Sequence, residues 1–166
     1  MNFKRFAKHL FTTEAAVKRY FSNESFAKIT SAIAVAERQH RGEIRFAIEA
    51  SLEPSQLIKN VTPRERALEI FSQLRVWDTE LNSGVLIYVL FADRAVEVVA
   101  DRGIYDKTAN NHCWETIVKA MEDAFVAGNF EAGAIDGVKA VAKELIHYFP
   151  AGELNPDELP NDVILV

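Results

Sequence analysis

The chain has 166 residues, 49% of them hydrophobic and 26% charged, which suits one globular domain with its own core. Nineteen Lys and Arg against 24 Asp and Glu leave a net charge of −5, which argues against a general nucleic-acid binder. The single cysteine, Cys113, excludes an internal disulfide, and no apolar run approaches the ~20 residues that cross a bilayer.

The charge is uneven. Residues 1–20 carry Lys4, Arg5, Lys8, Lys18 and Arg19 against Glu14 alone, a local excess of four cations that leaves −9 for the remainder. Phe3, Phe6, Ala7, Leu10 and Phe11 recur at helical spacing, which predicts a helix over 2–11 with Phe3, Phe6 and Phe11 on one side. The basic start is followed by no apolar stretch of a secretory signal. Two roles stand for this segment: a helix docked on its own domain, or a basic amphipathic helix on a partner or an anionic membrane surface.

Ser22 or Asn23 caps a second helix that presents Phe26, Ile29, Ile33 and Ala36, and Arg41-Gly42 ends it. Ile44, Phe46, Ile48 and Ala50 then alternate with Glu43, Arg45, Ala47 and Glu49, a strand with one strongly apolar face. Residues 51–61 read as a polar connection. Thr62, Pro63 and Glu65 form a capping box at the start of a helix over 63–76, with Ala67, Leu68, Phe71 and Leu74 inward. After a polar loop from Asp78 to Gly84, Val85 to Phe91 is apolar throughout, as a central strand covered on both faces requires. The short Ala92-Asp93-Arg94 link makes Ala95 to Ala100 its antiparallel hairpin partner.

Two helices follow. Trp114, Ile117, Val118, Met121 and Phe125 share one face, and Gly128 ends that helix. Asn129 is placed to cap the next, in which Gly133 and Gly137 predict close contact with the sheet. Pro150 stops it. The tail 151–166 has no Lys or Arg and reads as extended, with its apolar end, Val163 to Val166, suited to docking on a sheet edge. The chain thus divides into a basic helical segment (1–21), an α/β domain (22–149) and an acidic, proline-containing tail (150–166). The fold class expected is a three-layer α/β/α sandwich with a small mixed sheet: a βαβ crossover plus a hairpin, with helices on both faces.

That topology gathers three segments at one sheet end: Arg41 and Glu43, then Asp78, Glu80 and Asn82, then Asp101, Arg102 and Asp106. Oxygen donors converging from separate loops suit Ca²⁺ or Mg²⁺, so Asp78, Asn82, Asp101 and Asp106 are the predicted metal ligands. Glu43, Arg41 and Arg102 are the predicted substrate contacts. The plainer reading, solvated loop acids with an arginine paired among them, stays open beside it. The opposite end, with Ser51, Glu53, Asp93 and Arg94, ranks second, because Asp93-Arg94 suits a tight turn. His112 and Cys113 are adjacent and diverge on a helix, so they form no nucleophile–base pair. Trp77 reads as a wall of the site or as core. No zinc spacing, phosphate-binding glycine loop or nucleophile elbow is present.

The stretch 82–103, Asn-Ser-Gly-Val-Leu-Ile-Tyr-Val-Leu-Phe-Ala-Asp-Arg-Ala-Val-Glu-Val-Val-Ala-Asp-Arg-Gly, resembles the core of the TPM-domain family. Gly42-Glu43-Ile44 and Gly128-Asn129-Phe130-Glu131-Ala132-Gly133 match it further, so that the resemblance covers roughly 22–148. Where many members have Gly-Tyr-Gly-Leu-Glu, this chain has Asp101 to Asp106. The resemblance implies an α/β/α sandwich and divalent-metal binding. For some members it also implies acid phosphatase activity or a role in maintaining membrane complexes of plastid lumen or bacterial envelope. With no committed nucleophile, a metal-binding TPM module of the bacterial envelope system leads, and a metal-dependent phosphatase is the alternative. The protein is expected to be cytoplasmic, peripheral at the inner membrane if it serves one. Its partner is a protein or a membrane surface, not nucleic acid. No organic cofactor is expected.

Overall fold

The computed structural model describes residues 3–108, 112–152 and 156–166. Its centre is a four-stranded mixed sheet of order β3-β2-β1-β4. The strands are β1 (Glu43–Glu49), β2 (Gly84–Leu90), β3 (Ala95–Ala100) and β4 (Ile164–Leu165). β1 and β2 are parallel, with Glu43 opposite Gly84 and Glu49 opposite Leu90, while β3 returns antiparallel with Ala100 opposite Val85. A parallel pair needs a crossover, and α5 (Pro63–Gln73) supplies it. The expected βαβ unit and hairpin are both present. β2 is buried along its whole length, as its unbroken apolar sequence requires.

Alternate residues of the strands feed two cores. Ile44, Phe46, Ile48, Val85, Ile87 and Val89 pack with α3 (Asn23–Glu37), α7 (Cys113–Val126) and α8 (Phe130–Tyr148). Ala47, Leu86, Tyr88 and Leu90 pack on the other side with Ala67 and Ile70 of α5 and with Leu159 of the tail. The result is an α/β/α sandwich. The polar alternates of β1 do not face water: Glu43, Arg45 and Glu49 are all buried, because α5 and the tail cover that face too.

Local signals act as expected at the main helix starts. The Ser22 hydroxyl accepts the Ser25 N–H at 3.1 Å. The Thr62 hydroxyl accepts the Glu65 N–H at 3.1 Å, and the Glu65 carboxylate accepts the Thr62 N–H at 2.8 Å. Gly128 closes α7 with φ of +85°, which a side chain would strain. Three expectations fail locally. The Asn129 side chain makes no capping bond. Gly133 and Gly137 serve the α7–α8 contact and not the sheet: a Cβ on Gly137 would lie 2.3 Å from the Met121 sulfur, and one on Gly133 2.7 Å from the Ala124 Cβ. The polar connections hold two short helices, α4 (Pro54–Ile58) and α6 (Arg102–Thr108), too brief to show periodicity.

Two helices precede the domain core, α1 (Phe3–Phe11) and α2 (Glu14–Tyr20). The tail supplies the fourth strand. Ile164 and Leu165 pair in parallel with Ala47 and Ile48, and the Val166 N–H donates to the Ile48 carbonyl at 2.9 Å. The apolar end therefore docks on the sheet edge, as its composition predicts.

Candidate metal centre

Parallel β1 and β2 begin at the same sheet end, and antiparallel β3 finishes there, so the expected segments do meet. Asn82 adopts a left-handed φ of 51° and its carbonyl accepts the Gly103 N–H at 2.9 Å. Glycine is required at 103, because a Cβ would lie 2.5 Å from the carbonyl oxygens of both Leu81 and Asn82. The Asp101 N–H donates to the Gly84 carbonyl at 2.8 Å, and its Oδ1 accepts the Arg102 N–H at 2.8 Å. Its other oxygen, Oδ2, is buried with no hydrogen-bond partner among the described residues. Asp78, Asp106 and Arg102 are exposed. Arg41 lies 3.7 Å from Glu80. Trp77 is half exposed, so it is not core.

Among the described residues, three carboxylates converge at another point of this same end: Glu37, Glu43 and Asp157 each bring an oxygen to within 4.8 Å of the others. Each comes from a different element. Glu37 closes α3, and its Oε1 accepts the Ile44 N–H at 2.9 Å, at the edge of β1 that the short β4 leaves open. Glu43 opens β1, and its two oxygens accept the N–H groups of Glu158 and Leu159 at 3.3 and 3.2 Å. Those bonds draw the tail across the sheet end and bring Asp157 in. The Glu158 carboxylate in turn accepts the Glu80 N–H at 2.8 Å. Beside the cluster, the Asn161 Oδ1 is buried without a partner among the described residues.

Burial dominates the electrostatics here. It pushes the Glu37 carboxyl from 4.5 up to about 8, with Glu43 and Asp157 adding repulsion and the Ile44 N–H and the Asn161 side chain opposing. Burial also pushes Glu43 from 4.5 up to about 7, against the N–H groups of Glu158 and Leu159 and with repulsion from Asp157 and Glu158. Arg45 is the nearby cation. Burial pushes its pKa down, while Asp162 and Glu37 hold it charged. Its Nε and Nη1 have no hydrogen-bond partner among the described residues, so it balances the cluster by proximity and not by a forked ion pair. Two states relieve such a cluster: protonation, or a cation that accepts several oxygens at once. An all-oxygen set of carboxylates and an amide suits Ca²⁺ or Mg²⁺ rather than a softer metal.

Of the residues singled out from sequence, Glu43 enters this cluster. Glu37, Asp157 and Asn161 were not foreseen. Glu37 had a signal: it lies four residues past Ile33 and eight past Ile29, so it continues the buried stripe of α3. Asp157 had none, since it is 114 residues from Glu43.

The far end of the sheet is built differently. Asp93 receives Arg5 Nε at 2.9 Å, and His9 Nε2 lies 3.0 Å from its other oxygen. The His9 Nδ1 accepts the Leu52 N–H at 2.9 Å, which fixes the ring with its other nitrogen beside Asp93. α1 therefore docks over the strand ends by these contacts.

A three-layer sandwich with a mixed sheet, a parallel crossover and a hairpin defines the class, and sequence comparison then gives the family. The TPM-domain model matches residues 17–144, and the chain belongs to the TPM-domain family. Among solved structures, the BA42 protein from the psychrophilic bacterium Bizionia argentinensis is 33% identical with a TM-score of 0.77, covering 88% of this chain and 95% of that one. The N-terminal domain of a protein from P. gingivalis has a TM-score of 0.60 at 18% identity, covering 80% of this chain and 82% of that one, and so shares the fold. No curated protein matches the chain.

Proposed function

We propose that this chain is a divalent-cation-binding TPM module that works in maintenance of the bacterial envelope or its membrane complexes. The observation that carries the cation is the meeting of Glu37, Glu43 and Asp157 within 4.8 Å, beside the unpartnered Asn161 Oδ1. The cation joins the end of α3, the start of β1 and the tail, so its uptake tightens the tail against the sheet and sets the surface offered to a partner. The loop set Asp78, Asn82, Asp101 and Asp106 is a second placement at the same end, supported by the buried and unpartnered Asp101 Oδ2.

Thermal melting with calcium, magnesium or chelator tests the reading. A ligand of the folded state adds about 2.7 kcal/mol at a hundredfold excess over Kd, a rise of several degrees for a domain of this size. Glu43→Gln and Asp157→Asn abolish that rise if the cation sits under the tail, whereas Asp101→Asn abolishes it if the loop set holds it. A melting curve that neither cation moves contradicts both placements. The same preparations assayed on a phosphomonoester discriminate binder from enzyme: turnover that chelator removes transfers the reading to a metal-dependent phosphatase.

A further inference from the structure

The first helix keeps the wrong face outside for a soluble packing element. α1 is anchored through Arg5, Phe6 and His9. Arg5 reaches Asp93 and donates to the Val61 carbonyl at 3.1 Å, Phe6 packs into the core beneath, and His9 is buried. Phe3, Leu10 and Phe11 are instead 77%, 61% and 81% exposed. At about 100° per residue, Leu10, Phe3, Ala7 and Phe11 fall within a single arc of about 100°, and Lys4 and Lys8 come next on the same side. Sequence spacing predicts Phe3, Phe6 and Phe11 on one side; docking takes Phe6 inward and leaves the other two in water.

We infer that this stripe is an interfacial anchor for an anionic lipid surface, with Phe3, Leu10 and Phe11 entering the headgroup boundary and Lys4 and Lys8 on lipid phosphates. An exposed apolar stripe with Lys4 and Lys8 on its flank is the arrangement of a helix that lies in a lipid interface. The sign of the charge is right, since Lys4, Lys8, Lys18 and Arg19 are exposed in a segment with an excess of four cations in a chain of net charge −5. A second copy is a poorer host, because the lining of the apolar groove between α3 and α8 includes Lys28, Lys139 and Lys143 and no acid to receive the helix lysines. The Arg5 and His9 bonds hold the ridge in place beforehand, so little ordering is left for the moment of binding. The inference rests on the membrane-side role proposed above but not on the cation, whose candidate centre is at the opposite sheet end.

Co-sedimentation of the full chain with phosphatidylcholine vesicles, with and without phosphatidylglycerol, tests it in chelator so that no divalent ion bridges protein and lipid. The expected result is binding only to the anionic vesicles, lost as the Debye length falls from ~10 Å at 0.1 M salt to ~3 Å at 1 M. Phe3→Ser with Phe11→Ser weakens binding at least tenfold, and Lys4→Gln and Lys8→Gln each weaken it about fivefold. Circular dichroism and the melting temperature of all variants stay unchanged, because none of these side chains anchors the helix. No binding by the folded protein, equal binding to both vesicles, or a dimer lost in the double serine variant overturns the inference. The cation-dependent melting shift is read separately and survives any of these outcomes.

Discussion

The two ends of the sheet both bury carboxylates, and they treat them in opposite ways. At the end where the parallel strands finish, Glu49 is paired by Arg66 through Nε at 2.9 Å and Nη2 at 3.0 Å, and the Tyr88 hydroxyl donates to it at 2.5 Å. Asp93 there is held below the usual carboxylate range: burial opposes this, but Arg5 and His9 outweigh it. At the end where the strands start, Glu37 and Glu43 receive backbone N–H groups but face further carboxylates, and both are pushed up to about 8 and 7. A carboxylate held by a guanidinium fork is a structural pin. One held by amides among its own kind is left to bind a proton or a cation.

The largest expected effect comes from breaking a pin. Arg66→Met leaves Glu49 buried, uncompensated and beside Tyr88, at a cost of about 3–5 kcal/mol in urea unfolding. Loss within the range of an exposed pair, below about 1 kcal/mol, would make Arg66 a surface ornament.

The unpinned end gives the next effect, and its sign is opposite to that of a paired acid. Glu37 and Glu43 have raised folded-state values, so the native state holds protons that the unfolded state releases. Their stabilisation is complete below about pH 4.5, and it is lost as pH rises through about 7 and then 8. Stability in chelator should fall by about 2 kcal/mol or more over that window. Glu37→Gln retains a carbonyl oxygen for the Ile44 N–H and should flatten the fall. A flat wild-type profile from pH 5 to 9 would mean that Arg45 fully compensates the cluster.

A smaller effect is expected at Asp93. Asp93→Asn weakens the seat of Arg5 and His9 and should cost about 1–3 kcal/mol. Hydrogen exchange should speed up in residues 3–11 first and leave β2 slow. Uniform loss of protection would mean that α1 is integral to the core and not an appended anchor.

The sandwich was largely legible because its signals are local. The Thr62-Pro63-Glu65 start, the unbroken apolar run of β2 and the short link to β3 each specify their own element, and the strand order follows from connection length. The strand-start end was legible as a meeting of segments, since the register alone brings Glu43, Asn82 and Asp101 to one edge. Which acids face each other was not legible. The polar alternates of β1 look solvated in sequence, and only the tail folding across them buries Glu43 and Arg45. The same long-range contact delivers Asp157, for which no spacing rule exists. At the other end, the burial of His9 and Phe6 with Phe3 outside depends on the position of Asp93, more than 80 residues away.

Proton release on cation uptake bears most directly on the idea that the strand-start cluster exchanges protons for a divalent ion. Calorimetric titration of calcium into the chain at about pH 6, in two buffers of different ionisation enthalpy, counts the protons leaving per ion bound. Glu37 and Glu43 lie near 8 and 7, so both are largely protonated at that pH and must ionise to bind the ion. Release of between one and two protons per calcium, reduced in Glu43→Gln, is the predicted result. Calcium uptake with no proton release, or no uptake at all, would contradict it.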